Sequence, residues 1–226
     1  MKEELKSLGL DLFDQGIILT NGPFDFKFHE KHPNAPHSGI KVNLRFSPEG
    51  TLTNELTERI GNALYQVICE GQLQYDCIVG VPKAGNPLAK AVARLASVPL
   101  LSLEKEETEK RRMILPVIQG EYHQGWRVLI IDDVLVMAYS KFEAIEAVKG
   151  NGLAVVGIAV LIDWEHGGID NLKAAGIPVL TGFKMTELLL LYLKEGKILP
   201  QEYQEAIDYL KAVKAYFGGF RRSNRV

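Results

Sequence analysis

One stretch, WRVLIIDDVLVMAYSKFEAIEAVK at 126–149, confines the chain to a narrow set of folds. Val128 to Ile131 form a continuous apolar run, the pattern of a parallel strand covered on both faces. Asp132 and Asp133 follow at the end of that run, then a turn, then a helix from about Ser140. The helical spacing puts Phe142, Ile145 and Val148 on one face and turns Lys141, Glu146 and Lys149 toward water. In an open α/β sheet, ligands bind at the carboxyl ends of the strands. Two carboxylates placed there repel each other and lose solvation, so they call for a cation or hydroxyl donors nearby.

The rest of the chain repeats this alternation. Residues 3–15 read as a short amphipathic helix carrying Leu5, Leu8 and Leu10, with Gly9 as a point of breakage. Ile40 to Leu44 read as a strand, and between Ile17-Ile18-Leu19 and that strand lies a polar segment rich in turn residues. His29, His32 and His37 fall in that segment, but no cysteine or close carboxylate completes a metal set, so surface histidines are the simpler reading. Thr53 caps a helix to about Glu70 with a stripe of Leu56, Ile60, Ala63, Leu64, Val67 and Ile68. Cys77 to Val81 form a strand that enters the turn VPKAGNP, and Asn86 and Pro87 start the next helix. A strand, a glycine-containing turn with a lysine and a helix N-terminus make an anion cradle or a plain βα turn; the pattern fits both.

Pro99 to Leu103 predict a further strand, which opens into the charge-dense segment 104–125. That segment reads as a mobile flap or as an exposed helix laced with Glu–Lys pairs. Strands at Ala154 to Ile162 and Pro178 to Phe183 follow, with helices near Ile169 to Ala175, Thr186 to Lys194 and Gln201 to Tyr216. Strands alternating with helices predict an α/β fold with a mostly parallel, doubly wound sheet. No repeat or second domain boundary interrupts the 226 residues, so they are expected to form a single domain.

A net charge of −2 offers no electrostatic footprint for nucleic acid or a charged membrane surface. Arg221, Arg222 and Arg225 read as a solvated end. Two cysteines, Cys69 and Cys77, make no disulfide framework and fit a reducing cytoplasm. The strongest apolar run, Leu188 to Leu193, falls far short of the roughly 20 residues of a membrane span. Met1 leads into an acidic amphipathic stretch rather than a signal-peptide core.

Five segments, in order, resemble the orotate phosphoribosyltransferase family of type I phosphoribosyltransferases. FDFK at 24–27 with IKVNLR is similar to the family's N-terminal stretch, interrupted by an insertion at 28–39. VGVPKAGNPLA at 79–89 resembles its pyrophosphate loop, and LEKEETEK at 103–110 its catalytic flap. VLIIDDV at 128–134 resembles the ribose-phosphate strand. LIDWEHGGIDNLKAAGIPV at 161–179 resembles the family's segment built around an Asp-Arg pair. The resemblance implies a small N-terminal hood at 1–48 and a flap at 104–125. It implies transfer of ribose 5-phosphate from phosphoribosyl pyrophosphate to a pyrimidine-type base, with Mg2+ carried by the phosphoribosyl pyrophosphate. It also implies a homodimer in which the flap reaches the partner subunit. On this reading Asp132 and Asp133 hold the ribose hydroxyls and Val136, Met137, Ala138, Tyr139 and Ser140 surround the 5-phosphate. Val81, Pro82, Lys83, Ala84 and Gly85 hold pyrophosphate. Lys105 is the catalytic flap cation, and Lys27 and Trp164 face the base. No metal ligand is assigned to a protein side chain.

The same alignment shows three departures. The family's loop after the acidic pair is hydroxyl- and glycine-rich, whereas Val136, Met137 and Ala138 stand here; losing two hydrogen bonds to a dianion costs roughly 1.5–3 kcal/mol each. Trp164 stands where an arginine would pair with the orotate carboxylate, and an indole supplies no bidentate cation, though a flat base could stack there. In the flap, Glu104, Thr108 and Glu109 stand near positions that the family fills with cations, with Lys110 and Arg111 nearby. The sequence therefore leaves open a transferase weakened or altered in substrate, and a non-catalytic nucleotide- or effector-binding homologue.

Overall fold

The computed structural model describes residues 2–20, 22–24, 33–44, 52–107 and 112–223. Its centre is a six-stranded sheet in the order β5-β4-β3-β6-β7-β8, built from β3 (Cys77–Gly80), β4 (Leu100–Glu107), β5 (Arg112–Gln119), β6 (Arg127–Leu135), β7 (Ala154–Asp163) and β8 (Val179–Lys184). Every neighbouring pair is parallel except β4 with β5. The chain leaves β3 for β4 on one side and returns to β6 on the other. The topological switch point is therefore the β3–β6 seam, where a doubly wound sheet opens its ligand crevice.

The apolar run of β6 is continuous because both faces are covered. Leu129 and Ile131 pack with α2 (Asn54–Gly71), α3 (Gly85–Ala96), α6 (Met185–Lys194) and α7 (Pro200–Ser223). Val128 and Ile130 pack with α4 (Tyr139–Gly150) and α5 (Gly168–Ala174) on the opposite face. Thr53 caps α2 as expected, accepting from the Leu56 amide at 3.1 Å. α1 (Glu3–Asp14) runs through Gly9 without a break. A side chain there would come within 3.1 Å of Leu188 and Leu191, so the glycine lets α1 and α6 approach. β1 (Ile18–Leu19) and β2 (Lys41–Val42) form a short antiparallel pair, and β2 is shorter than the strand predicted at Ile40 to Leu44.

Three further expectations change. β6 continues past the acidic pair, because the ten-residue β7 pairs with it as far as Leu135 opposite Asp163. α3 begins at Gly85, one residue before the predicted cap, and Ala84 makes no side-chain capping bond. The described part of the charged flap up to Gln119 is neither mobile loop nor helix: β4 and β5 form an antiparallel ribbon with a register shift between Leu103 and Lys105, and only 120–125 are loop. Leu101, Leu103 and Ile114 anchor the ribbon by burial. Pro116 is tolerated because β5 is the sheet's edge. Among the described residues, no helix is long and apolar enough to cross a membrane.

Candidate functional site

Two chain segments meet at the switch point. The Val81 amide donates to the Ile131 carbonyl at 2.9 Å, and the Gly85 amide returns to the Val81 carbonyl at 3.0 Å. The peptide between Pro82 and Lys83 is cis. A Cβ on Gly85 would lie 2.6 Å from the Ile131 carbonyl oxygen and 3.1 Å from Asp132, so the turn at 81–85 presses its backbone against the acidic pair and admits only glycine there. Lys83 is exposed, while Val81 and Pro82 are buried. Lys105 reaches the same turn from the ribbon and donates to the Pro82 carbonyl at 3.2 Å. The predicted pyrophosphate turn, flap cation and acidic pair thus come together.

The acidic pair is not left to repel itself. Asp132, next in the row of Val128 and Ile130, faces α4, and Lys141 in the first turn of α4 meets it. The ammonium lies 2.6 Å from the Asp132 carboxylate, with the two side chains 6% and 5% exposed. Lys141 also donates to the Val134 carbonyl. The other Asp132 oxygen accepts from the Asp133 amide at 2.9 Å, and Asp133 accepts from the Val134 amide at 2.7 Å. Burial, then the neighbouring Asp132 charge, raises the Asp133 carboxyl well above the usual carboxylate range. The expectation that Lys141 turns toward water is therefore wrong. It lies four residues before Ile145 and seven before Val148, on the buried face of α4, and that spacing was the available signal.

In the 136–140 loop, Ala138 has φ +71° and Met137 is 8% exposed. The loop keeps a backbone shape that favours glycine although alanine occupies it. Tyr139 projects into solvent, 71% exposed. The N-terminal end of α5 presses on this loop from the other side. A side chain at Gly168 would come within 2.6 Å of the Val136 carbonyl, and the Asn171 amide group donates to the Met137 carbonyl at 3.0 Å.

Trp164 is held at the same end of the sheet, its amide donating to the Leu135 carbonyl at 2.9 Å. Its ring is buried, 4% exposed, in the same core cluster as Met137, not laid open as a stacking surface. Asp163 before it is 3% exposed, and burial pushes its carboxyl up to about 6. His166, which packs on Trp164, and Tyr209, which packs on His166, were not singled out by the sequence reading; their ring contacts are the signal, and it is non-local. Lys27, Thr108, Glu109, Lys110 and Arg111 lie outside the described residues, as do His29 and His32. Among the described residues no group of three or more His, Cys, Asp or Glu side chains could hold a metal ion.

The chain is similar to known proteins over most of its length. The family profile of the phosphoribosyl transferase domain matches residues 51–175. An orotate phosphoribosyltransferase from Pyrococcus abyssi is 33% identical over 191 residues, covering 84% of this chain and 93% of that protein. Uridine 5'-monophosphate synthase from Bos taurus is 31% identical over 181 residues, covering 80% of this chain; the chain spans 37% of that protein. The structure of UMP synthase from Leishmania donovani superposes with a TM-score of 0.76 at 28% identity, covering 91% of this chain and 42% of that one. The match to the domain profile over more than half of the chain, and to a relative covered almost from end to end, places this chain in the orotate phosphoribosyltransferase family.

Proposed function

We propose that the chain transfers ribose 5-phosphate from phosphoribosyl pyrophosphate to a ring nitrogen of a pyrimidine-type base. The observation that carries this is the convergence of Gly85, Asp132 and Lys105 at the switch-point seam. Amides of the 81–85 turn and the Lys105 ammonium hold the pyrophosphate. Asp133 accepts from the ribose hydroxyls, and Asp132, fixed by Lys141, orients it. Ser140 and the free amides of the first turn of α4 hold the 5-phosphate. Trp164 and Lys27 border the base. The base nitrogen forms a bond to the ribose C1, the C1–oxygen bond breaks, its electron pair leaves with pyrophosphate, and the ring N–H proton passes to solvent. The residues' work is positioning and neutralising charge.

Mg2+ fits this donor set as a hard cation held mainly by the oxygens of phosphoribosyl pyrophosphate and water, with the half-buried Asp133 as the acidic-pair carboxyl that Lys141 does not hold. When bound it supplies charge neutralisation at the pyrophosphate. A homodimer, with the ribbon reaching a second copy, and a cytoplasmic setting for the free Cys69 and Cys77 complete the reading. We regard the chain as one functional domain with an N-terminal hood.

Calorimetry with phosphoribosyl pyrophosphate and Mg2+, followed by pyrophosphate release with a base, tests the proposal. Binding with turnover is the expected result, and absence of binding overturns it. A second reading, a ligand-binding homologue without transfer, draws on the strained Ala138 and the buried Met137 in the phosphate loop. Binding with no pyrophosphate release from any pyrimidine-type base decides for it.

A further inference from the structure

Four consecutive carbonyls between the acidic pair and α4 are held against the protein. Lys141 donates to the Val134 carbonyl. The Trp164 amide donates to the Leu135 carbonyl at 2.9 Å. The Val136 carbonyl lies against Gly168, where a Cβ would come within 2.6 Å of it. The side-chain amide of Asn171, on α5, donates to the Met137 carbonyl at 3.0 Å. None of these peptides is cis, and across a planar trans peptide the C=O and the next N–H point in opposite directions. With the Val136 and Met137 carbonyls turned to the 168–171 segment, the amides of Met137 and Ala138 point away from it. The first-turn amides of α4, which have no partner inside the helix, follow directly. Successive backbone amides arranged in this way make an anion-binding concavity.

The loop does not prefer this shape by itself. Ala138 has φ +71° and ψ 12°. There a Cβ crowds the following carbonyl oxygen, and glycine alone adopts the region freely. Returning Ala138 to negative φ would rotate the peptide planes on either side of it and carry the amides off an anion. Among the described residues, Asn171 is the side chain that holds the carbonyl immediately before Ala138. Lys141, the other side chain on these carbonyls, is committed to Asp132. α5 presents Asn171 from a fixed base: the Asn171 backbone amide donates to the Gly167 carbonyl at 3.1 Å, and the neighbouring Leu172 is fully buried.

We propose that Asn171 is a positioning residue for the 5-phosphate: by holding the Met137 carbonyl it keeps Ala138 left-handed and the loop's amides aimed at the anion. The inference rests on the transfer reaction proposed above. Asn171 does not touch the phosphate; it sets the fraction of molecules whose loop is shaped to receive it. Without the tether that fraction is limited by the cost of a left-handed alanine, and affinity for the phosphate falls about tenfold.

The test uses the full chain. Calorimetry measures the wild type with ribose 5-phosphate and, separately, with pyrophosphate and Mg2+. Asn171→Ala should weaken ribose 5-phosphate about tenfold and leave pyrophosphate unchanged. Adding Ala138→Gly to that variant should restore most of the lost affinity, because glycine keeps the loop's shape without a tether. A residue that merely supported the fold would weaken both ligands, and a change on another element would not rescue it. Asn171→Leu, which keeps the bulk and removes the donor, gives the same readout if the alanine variant does not fold. Unchanged ribose 5-phosphate affinity in the folded variants, equal losses for the two ligands, or no recovery with Ala138→Gly overturns the inference and leaves the transfer reaction standing. A wild type that binds pyrophosphate but no ribose 5-phosphate also overturns it. A wild type that binds neither overturns the transfer reaction and this inference with it.

Discussion

Replacing Lys141 with Met isolates the physics of the buried ion pair. The ammonium and the Asp132 carboxylate sit 2.6 Å apart with side chains 6% and 5% exposed. Methionine fills similar volume but leaves Asp132 as an uncompensated buried charge. Breaking such a pair costs about 3–5 kcal/mol. The fold has one escape, which is to protonate the carboxylate. For an ordinary aspartate at pH 7 that costs about 4 kcal/mol, from roughly 1.4 kcal/mol per pH unit above 3.9. The two routes agree, so a loss of about 3–4 kcal/mol at pH 7 is expected. That is a large share of the 5–15 kcal/mol typical of a domain. Once protonation is the escape, the deficit should shrink by about 1.4 kcal/mol for each pH unit below 7. Asp132→Asn in the same chain removes the stranded charge, and the double variant should recover most of the loss. Urea unfolding of the wild type, both single variants and the double variant at pH 7 and pH 5 closes the cycle. A Lys141→Met loss under about 1 kcal/mol, or a double variant no more stable than Lys141→Met, would refute the reasoning, since an exposed pair behaves that way.

Two other predictions concern the crevice. The double change Val136→Thr with Ala138→Gly should raise affinity for ribose 5-phosphate at least tenfold by calorimetry, by restoring a hydroxyl and relaxing the loop. Its stability should stay within about 1 kcal/mol of wild type. Relief of roughly 1–2 kcal/mol at the positive φ is offset by about 0.5–1 from glycine's chain entropy and about 0.8 from the lost buried methyl. Asp163 and His166 should oppose each other in pH dependence. The raised Asp163 carboxyl, at about 6, holds a proton in the fold that the unfolded chain has released, so its contribution falls as pH rises from about 4 to 6. The depressed His166, at about 4, lacks a proton that the unfolded chain holds, so its contribution rises from about pH 4 to 6.5. Each is worth roughly 3 kcal/mol over its window. Melting temperature should therefore fall with pH in His166→Phe and rise with pH in Asp163→Asn; parallel slopes in the two variants would count against both assignments.

The sheet was legible because its strands carry their own signal. The doubly covered run at Val128 to Ile131 and the capped stripe from Thr53 are local patterns, and the order of elements then restricts the topology. The meeting of Gly85 with Asp132 was foreseeable in outline, since Gly85 follows β3 and Asp132 lies near the carboxyl end of the neighbouring β6. Lys141 was misread because a charge is placed in a buried row only when a distant carboxylate compensates it, and Asp132 lies on another element. The ribbon was misread because Glu104 to Glu106 look like solvent-facing helix, while its pairing depends on Ile114 and Ile118 arriving later in the chain. His166 and Tyr209 are separated by all of α5, β8 and α6 and the first turns of α7, so nothing in their local sequence joins them.

The ribbon carries one more consequence. Lys105 stands opposite Ile114 in the ladder, just past the register shift at Leu103. The Ile114 amide donates to the Glu143 carboxylate of α4 at 3.0 Å. The arm that delivers the cation to Pro82 is thus pinned to the same helix whose first turn supplies Lys141 to the acidic pair. Glu143 and Lys141 lie two residues apart on one rigid rod. In the proposed transfer, leaving group and ribose, at opposite ends of the bond to be cut, would be gripped through a single mechanical part.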